Sequence, residues 1–416
     1  MKRPTCSLAT DGQGDPGRRI GSCRGSEPGT LLLCIASLHG NEPAGGTALE
    51  RVLEELSAGG LPMRGDLVGL RGNLRALEAG RRFIDEDLNR IWQRDRVDAV
   101  LASLRQGETV GGGAAREADE LPMVGSAELL EQRDLLAAIR DESRRARGPV
   151  CVLDLHTTSS ESAPFTTVGD TLQNRELALR LPVPVVLGLE EQIEGALLQY
   201  FDRLGWRSIG FEGGRHEAPS SVEAHEDAVW ILLEALGLLE AGSAPGSAER
   251  RGRLARRAEG LPRVLDVRYR HAVSEEDGFR MHSGFANFDR IEAGEEVGAD
   301  RAGPVRAVRA GRILLPLYQR QGDDGFFIAR RLAPAWLVLS RFLRVVGADR
   351  LATWLPGVRA HPERSDAVVL ARRARNRVVV GLLHLLGFKA RSDGGGGVMV
   401  RRVEGPGRAP ESDMHG

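Results

Sequence analysis

The sequence lacks the features that would place it in a membrane or on a nucleic acid. No apolar run in its 416 residues reaches the roughly 18 residues that a membrane-spanning helix needs. The first 24 residues contain no apolar core of a secretory signal, so we expect a protein that is not exported. The net charge is −1, which argues against a general nucleic-acid binder and an anionic-membrane binder. Hydrophobic residues at 41% and charged residues at 28% exclude a mainly disordered chain.

Lysines and paired cysteines are also scarce. Lysine occurs only at Lys2 and Lys389, so arginine supplies nearly all of the 57 basic residues. Such an excess is typical of a GC-rich genome, and an arginine therefore needs more than its presence to be assigned a function. The four cysteines form no Cys-x-x-Cys pair and no disulfide framework. Cys34 and Cys151 lie in apolar runs and are predicted to be buried, and we expect a reducing, cytoplasmic location.

Apolar runs alternate with helical patterns over the first 240 residues. The run 31–36 (LLLCIA) predicts a strand that is buried on both faces, and Pro43 with the apolar residues after it predicts a helix. Further strands are predicted at 65–70, 150–153, 183–187 and 206–211, with helices at 127–140 and from a capping box at Ser220 and Glu223 to about residue 239. This alternation predicts an α/β fold with a largely parallel sheet.

Changes in composition predict five segments. They are a flexible N-terminal tail at 1–18, an α/β domain at 19–240, a linker at 241–262, a small β-rich domain at 263–333 and an α+β C-terminal extension at 334–416. We also expect a surface insertion at 107–120, a glycine break at 394–397 and a last strand at 398–403. The sequence alone assigns no role to the extension.

Two clusters of metal-binding side chains follow predicted strands. Leu38-His39-Gly40-Asn41-Glu42-Pro43 follows the first strand, and Asp154-Leu155-His156-Thr157-Thr158 follows the strand at 150–153. In open α/β sheets, sites form at this end of the strands. His39 and Glu42 can point at one ion, and His156 would add a third ligand and leave one position open for water, as in catalytic zinc sites. A hydrogen-bonded structural histidine is the alternative for each histidine taken alone.

A third cluster, Gly210-Phe211-Glu212-Gly213-Gly214, ends the strand predicted at 206–211. A zinc hydrolase needs a general base close to its water, and glutamate is the usual choice. Glu212 is therefore the candidate base, and an ordinary acid at the end of a strand is the alternative. His216 and Glu217 follow closely, and they either line the pocket or belong to a polar loop.

A fourth cluster runs from Arg82 to Arg90 with the sequence RFIDEDLNR. A solvated run of salt bridges is one interpretation. The functional interpretation is that Arg82 polarises a substrate carbonyl, while Asn89 and Arg90 hold a substrate carboxylate through bidentate pairing. Because an unpaired guanidinium in a pocket is costly, we expect the substrate to carry a carboxylate.

These four clusters, in this order along the chain, resemble the succinylglutamate desuccinylase/aspartoacylase family, which is related to the zinc carboxypeptidases. The resemblance covers roughly residues 19–330. It implies a carboxypeptidase-like α/β catalytic domain followed by a small β-rich domain that narrows the entrance. It also implies one zinc ion per chain.

The resemblance implies a role for each matching residue. His39, Glu42 and His156 would bind zinc, and Glu212 would act first as general base and then as general acid. Arg82 would stabilise the oxyanion, and Asn89 with Arg90 would bind a substrate carboxylate. Two further acids, Asp154 and Asp87, would orient the ligands or the arginines. The candidates for one more substrate-binding arginine are Arg203 and Arg207.

The function predicted from these residues is zinc-dependent hydrolysis of the amide bond in a small N-acyl amino acid or related amide. Zinc-activated water would attack the carbonyl, with Glu212 and Arg82 assisting. A carboxypeptidase or an ester hydrolase with the same site is one alternative, and a non-catalytic zinc-binding interaction module is another. We expect a small-molecule substrate and neither a nucleic-acid nor a membrane partner. The sequence leaves open the acyl group, the amine and whether the chain forms a homo-oligomer.

Overall fold

A computed structural model of the chain describes residues 3–8, 17–110, 125–390 and 398–402. Most of the insertion predicted at 107–120 and all of the glycine break at 394–397 lie outside these ranges. Within them, every helix is too short or too polar to cross a bilayer. The division into five segments stays a prediction.

The strands of the predicted α/β domain follow the apolar runs of the sequence. In chain order they are β1 (Thr5–Leu8), β2 (Arg19–Arg24), β3 (Glu27–Ala36), β4 (Arg64–Arg71), β5 (Val150–Thr158), β6 (Phe165–Thr167), β7 (Val185–Leu187) and β8 (Arg207–Arg215). The pairs β4–β3, β3–β5 and β5–β8 are parallel. The carboxyl ends of β3, β5 and β8 therefore lie next to one another at one edge of the sheet.

Helices cover both faces of this sheet. They are α1 (Ala44–Gly59), α2 (Leu74–Glu78), α3 (Arg94–Val110), α4 (Ala127–Arg145), α5 (Leu172–Ala178), α6 (Leu197–Arg203) and α7 (Pro219–Ala235). Ser126 caps α4 through its side chain, as predicted. The capping box predicted at Ser220 and Glu223 is wrong, because α7 begins at Pro219 and has no side-chain cap.

Alternate residues of β3 belong to two different cores, which explains its continuous apolar run. Leu32, Cys34 and Ala36 pack into a cluster with residues of α1 and α7. Leu31, Leu33 and Ile35 pack into another with residues of α3, α4 and α6. All six are fully buried, and each leucine stabilises the fold by roughly 1.5–3 kcal/mol relative to an exposed position. The prediction of a strand buried on both faces is confirmed.

The segment predicted as a linker contains helix α8 (Ser247–Arg257). Two of its arginines, Arg250 and Arg253, form ion pairs with the buried Asp227 of α7 at 3.1 and 2.5 Å. Leu254 is fully buried in the core that α1 and α7 share. This stretch is therefore packed against the α/β domain along much of its length.

The segment predicted as β-rich does form strands, but several of them extend the large sheet. They are β9 (Val264–Ala272), β10 (Arg280–Met281), β11 (Arg290–Ile291), β12 (Glu296–Asp300), β13 (Gly303–Arg306), β14 (Gly311–Leu314) and β15 (Asp324–Arg331). Strand β9 pairs with β7 in parallel, which gives one mixed twelve-stranded sheet in the order β1-β2-β4-β3-β5-β8-β6-β7-β9-β15-β14-β11. The short strands β10, β12 and β13 form a separate sheet. The mostly parallel arrangement therefore holds from β4 to β8 but not for the whole sheet.

The C-terminal extension has its own small core of helices and strands. These elements are α9 (Pro334–Val345), α10 (Arg377–Leu385), β16 (Val358–Ala360), β17 (Ala367–Leu370), β18 (Phe388–Ala390) and β19 (Val398–Arg401). The four strands form an antiparallel sheet, and β19 corresponds to the described part of the last strand predicted from sequence.

Buried ion pairs attach the extension to the α/β domain. Arg344 of α9 binds the Asp170 carboxylate at 3.0 Å, and Arg402 donates to the Asp170 carbonyl at 3.1 Å. Arg402 also pairs with Glu191 at 2.5 Å, and His384 Nε2 lies 3.2 Å from the other oxygen of Glu191. Breaking one partner of such a pair leaves a buried charge uncompensated, so these contacts hold the two parts together.

The cysteines are arranged differently from the expectation. Cys6 and Cys23 lie opposite each other on the antiparallel strands β1 and β2 and form a disulfide, which the sequence did not predict. Cys34 and Cys151 are free and buried, as predicted. Burial raises the pKa of the Cys151 thiol to about 12, so this side chain acts as a small apolar group.

The pairing of Glu191 predicts a specific acid sensitivity. Burial alone would raise the pKa of Glu191, but His384 and Arg402 outweigh burial and lower it to about 2. The carboxylate therefore contributes stability above its unfolded pKa of about 4.3, and this contribution is lost as pH falls toward about 2. The Glu191→Gln variant should lose less unfolding free energy than the wild type over that window, by on the order of 3 kcal/mol.

Denaturant unfolding at several pH values between about 4.5 and 2 measures this difference. Glu259→Gln, which alters an exposed glutamate just after α8, is the matched control and should follow the wild type. Equal pH dependence for Glu191→Gln and the wild type would contradict the account.

Candidate active site

The turn between β3 and α1 places the first two candidate ligands. Ser37 adopts a positive φ of 54°, and its hydroxyl donates to the Glu42 carbonyl at 3.2 Å. Gly40 passes so close to α2 that a Cβ there would lie 2.0 Å from the Ala76 carbonyl carbon. Position 40 therefore has room only for a glycine, which has no Cβ. The turn is therefore fixed by its own sequence, and it points His39 and Glu42 inward.

The carboxyl-terminal half of β5 places the third candidate ligand. Ile35 of β3 is in register with Asp154, so His156 lies just beyond the end of β3. The Thr157 amide donates to Glu42 Oε2 at 2.9 Å, which ties the two strand ends together. The expected location of this cluster at the carboxyl end of a buried strand is confirmed.

The structure brings the three candidate ligands into one buried cluster. One ligand atom each from His39, Glu42 and His156 lies within 4.8 Å of the others. The Nδ1 atom of His39 is 2.9 Å from Glu42 Oε1, and the Nδ1 atom of His156 is 3.1 Å from Glu42 Oε2. The two imidazoles therefore face the same carboxylate from two sides.

The far nitrogens of both imidazoles contact acids. His39 Nε2 is 3.1 Å from Asp87 Oδ1, and His156 Nε2 is 2.8 Å from Asp154 Oδ2. An ionised carboxylate can only accept, so each Nε2 carries the hydrogen and a neutral ring keeps its lone pair on Nδ1. Both lone pairs then face the Glu42 carboxylate, and this acceptor-against-acceptor arrangement needs a cation or added protons between the groups. The donor set, two nitrogens and one carboxylate oxygen, fits a divalent transition metal such as zinc.

The pKa values of Glu42 and His156 reflect how close these groups lie to one another. Burial acts to raise the pKa of Glu42, but His39 and His156 outweigh it and hold that pKa well below its usual range. Burial acts to lower the pKa of His156, but Asp154 and Glu42 outweigh it and raise that pKa well above its usual range. The acids thus stabilise positive charge at the point where the three candidate ligands meet.

A buried glutamate holds the RFIDEDLNR segment in place. Glu128 of α4 accepts from the backbone amides of residues Ile84, Asp85 and Glu86 at 2.7–3.2 Å. Asn73, the cap of α2, also donates to Glu128, at 3.1 Å. Glu128 is fully buried. No local pattern indicated its role, because it lies in α4, 42–44 residues along the chain from the amides that donate to it.

This segment delivers its candidate residues to the cavity. Arg82 binds Asp87 at 3.0 Å through Nη2, and its Nη1 lies 3.5 Å from Glu42 Oε1. Asn89 and Arg90 belong to a single 3₁₀ turn and also line the cavity. The Asn89 side-chain oxygen accepts from the Leu197 amide at 2.8 Å. Three residues of the fourth cluster, Arg82, Asn89 and Arg90, therefore line the same cavity as the three candidate ligands.

Glu212 also lines the cavity, although it lies inside β8 and not at its end. It is the register partner of His156 on the neighbouring strand. Among the described residues, its Oε2 atom is buried and has no hydrogen-bond partner. Burial, with smaller contributions from Glu42 and Asp154 against the opposing charge of His156, raises the pKa of Glu212 to about 8.

The candidate residues share a cavity of about 150 Å³ whose walls differ in character. The ligand cluster, Glu212 and Arg82 form the polar wall. The apolar lining residues are Val168, Leu189, Ile193, Ala196, Leu198, Leu315, Leu317 and Phe327. Further polar residues also line the cavity: Asn89, Arg90, Asp154, Thr157, Thr158, Ser159, Thr167, Gln199, His216, Gln319 and Asp324. Glu212, Arg82, Asn89, Arg90 and Asp154 all line this space, whereas Asp87 is not among its lining residues.

Several lining residues were not assigned from the sequence. Gln319 accepts from Asn41 at 2.9 Å and lies 3.2 Å from His216 Nε2, and Thr157 Oγ1 is 2.7 Å from His216 Nδ1. Asp324 reaches the cavity from the first position of β15. The sequence offered no local pattern for Gln319 or Asp324, since both come from a segment about 280 residues beyond the first cluster.

Neither of the two further arginine candidates lines the cavity. Arg203, in the last turn of α6, donates to the Trp92 carbonyl at 2.6 Å. Arg207 is exposed at the amino end of β8, whereas the site lies toward the carboxyl end of that strand. The two ends of a strand lie on opposite sides of the sheet, so Arg207 lies away from the cavity.

Known proteins are similar in sequence to the part of the chain that contains His39, Glu42 and the RFIDEDLNR segment. Residues 28–109 match the family described as the succinylglutamate desuccinylase/aspartoacylase catalytic domain. The succinylglutamate desuccinylase of Pseudomonas putida (strain GB-1) is 38% identical over 81 residues, which are 19% of this chain and 24% of that protein. The chain thus matches about a quarter of the length of that curated relative.

Solved structures share the fold over a larger part of the chain. The succinylglutamate desuccinylase/aspartoacylase from Rhodobacter sphaeroides has a TM-score of 0.51 at 18% identity and covers 76% of this chain and 89% of its own. A succinylglutamate desuccinylase from Silicibacter sp. TM1040 has a TM-score of 0.51 at 16% identity and covers 79% and 94%. At such identities the likeness concerns the fold. The resemblance seen in the sequence motifs is confirmed over residues 28–109, which match the succinylglutamate desuccinylase/aspartoacylase catalytic domain and contain the first and fourth clusters.

Proposed function

We propose that the protein is a zinc-dependent amidohydrolase that removes the acyl group from a small N-acyl amino acid or a related amide. One observation supports this most strongly. The Nδ1 atoms of His39 and His156 both face the Glu42 carboxylate, and each Nε2 atom contacts the carboxylate of an aspartate. This pattern of carboxylate, histidine and metal position is typical of zinc enzymes.

His39, Glu42 and His156 would hold the metal. Three protein ligands are the usual number in catalytic zinc sites, since a fourth position must stay open. When bound, zinc supplies Lewis acidity that polarises the amide carbonyl and makes water a stronger acid. Asp87 and Asp154 keep each imidazole in the tautomer that presents Nδ1.

Glu212 is proposed as the proton carrier. Its Oε2 atom takes a proton from the attacking water and later gives that proton to the amine as the C–N bond breaks. Burial raises the pKa of this carboxyl group to about 8, within about one unit of neutral pH, so that it can both accept and donate a proton there. Among the described residues, that oxygen makes no hydrogen bond that would compete with water.

Arg82 is proposed to stabilise the carbonyl oxygen as it becomes negative. Asp87 orients the guanidinium through Nε and Nη2, at 3.2 and 3.0 Å, and this leaves the Nη1 side near Glu42 and the ligand cluster. A donor held in place in this way needs no reorganisation when charge develops. Asn89 and Arg90 are proposed to contact the body of the substrate.

The role of Asp87 gives the first test. Asp87→Asn should weaken zinc binding by about 10- to 100-fold, because an amide fixes the His39 tautomer less strongly than a carboxylate. Competition with a chelator of known affinity measures the change. Asp85→Asn alters the same segment at an acid that binds the Ala127 amide, and it should change zinc affinity by less than about twofold. A zinc affinity in Asp87→Asn equal to that of Asp85→Asn would contradict the assignment.

The function itself is tested by assaying zinc-loaded protein with N-acyl amino acids, short peptides and esters. We expect hydrolysis of N-acyl amino acids, and Glu212→Gln should keep zinc while kcat falls by about 10²- to 10⁴-fold. Glu217→Gln, an exposed neighbour after β8, is the control. Preference for peptides or esters would indicate the alternative hydrolases, and full activity in Glu212→Gln would show that another residue is the base.

Arg82 should act on the transition state more than on binding. Arg82→Ala should lower kcat by on the order of 10²- to 10³-fold and change KM little, because the carbonyl oxygen gains full charge only as water attacks. Steady-state kinetics separate the two constants, and Arg81→Ala alters an exposed arginine next to it as the control. A large rise in KM at constant kcat would instead indicate that Arg82 binds the substrate in its ground state.

A further inference from the structure

Arg90 lines the cavity and forms an ion pair with Asp324. Its Nη2 lies 2.6 Å from Asp324 Oδ2, and its Nη1 donates to the Asn89 carbonyl at 2.9 Å. Asp323 lies 3.6 Å from its Nε. Only 17% of the Arg90 side chain is exposed, so this ion pair is shielded from water. A shielded charge-assisted bond of this length is stronger than a pair on the surface.

Asp324 is held in position from a second side. Its other carboxylate oxygen pairs with the Arg270 guanidinium of β9, and 13% of the Asp324 side chain is exposed. Arg270 also donates to the Gln192 carbonyl at 3.0 Å. Because two arginines fix both carboxylate oxygens, Asp324 cannot rotate away from Arg90 without losing a bond to Arg270 as well.

The cavity that this ion pair lines has many apolar residues in its wall. Leu189, Ile193 and Ala196 precede or begin α6, Leu315 and Leu317 come from the segment before β15, and Phe327 lies on β15 itself. A substrate group that enters the cavity can therefore contact hydrocarbon side chains as well as the ion pair. Burial of such a group is favourable in proportion to its apolar area.

We propose that the substrate group that meets Arg90 is uncharged and apolar, and that Asp324 is the residue that sets this preference. The inference rests on the proposed amide hydrolysis and narrows its substrate class. A carboxylate at this position would approach Asp324, a like charge, or would have to break a shielded ion pair. An apolar group leaves the pair intact. A carboxylate on another part of the substrate, such as that of the amino acid, is compatible with the inference.

The wild-type enzyme provides the first test through substrates that differ by one charge. The pairs are N-pentanoyl- against N-succinyl-L-alanine, which vary the acyl end, and N-acetyl-L-leucine against N-acetyl-L-aspartate, which vary the amine. In at least one pair, kcat/KM should favour the neutral member by about tenfold or more. If the charged member is equal or better in both pairs, the inference is wrong while the proposed function stands.

Asp324→Asn provides the second test, because it removes the competing charge and keeps the shape. For the substrate pair in which the wild type prefers the neutral member, kcat/KM of the charged member relative to the neutral member should rise by about tenfold in this variant. Asp323→Asn is the matched control, since Asp323 is more exposed and does not line the cavity, and it should move the ratio by less than about threefold. An unchanged ratio in Asp324→Asn would overturn the role of Asp324.

Binding gives a readout that does not depend on turnover. Calorimetric titration of zinc-loaded protein with succinate should show about tenfold tighter binding to Asp324→Asn than to the wild type. Equal succinate affinity in the two proteins would count against the inference even if no amide is cleaved. Absence of hydrolysis across all four substrates would overturn the proposed function instead. If Asp324→Asn does not fold, the wild-type substrate pairs decide the matter.

Discussion

The site depends on one electrostatic constraint, the burial of two imidazole Nδ1 atoms against a single carboxylate. Asp87 and Asp154 fix the far nitrogens of His39 and His156, so both Nδ1 atoms must face Glu42 at about 3 Å. Buried acceptors this close repel one another unless positive charge lies between them. Protons can supply that charge, as the raised pKa of His156 reflects, and a divalent cation would take their place.

The rest of the molecule supports that geometry. Adjacent parallel strands β3 and β5 bring the first two clusters together at one edge, and the packing of Gly40 against α2 sets the turn. Glu128 anchors the segment that carries Arg82 and Arg90 through three backbone amides. Strand β15 contributes Asp324, which pairs with Arg90 in the cavity. The same strand contributes Phe327 to the apolar lining. Asp324, the residue proposed to set the substrate preference, therefore comes from a region of the chain that is distant from the proposed metal ligands.

The sequence predicted the parts of this site that local patterns encode. The continuous apolar run of β3 indicated a strand covered on both faces, and clusters at strand ends indicated where ligands would meet. Contacts between distant segments were beyond such patterns. Asp324 pairs with Arg90 across 234 positions, a contact that no local pattern indicates. We therefore expected a substrate carboxylate as the partner of Arg90, whereas the structure shows Asp324 in that place. Likewise, the Cys6–Cys23 disulfide depends on the pairing of β1 with β2, and the continuation of the sheet through β9 depends on short strands with weak patterns.

The most direct test of the central claim is the position of the metal in zinc-loaded protein. Anomalous diffraction at the zinc edge should give one strong peak per chain between His39, Glu42 and His156. The nitrogen distances should be about 2.0–2.1 Å and the carboxylate oxygen distance about 2.0–2.2 Å. A peak bound by other residues, or no peak at this cluster at full zinc loading, would contradict the account.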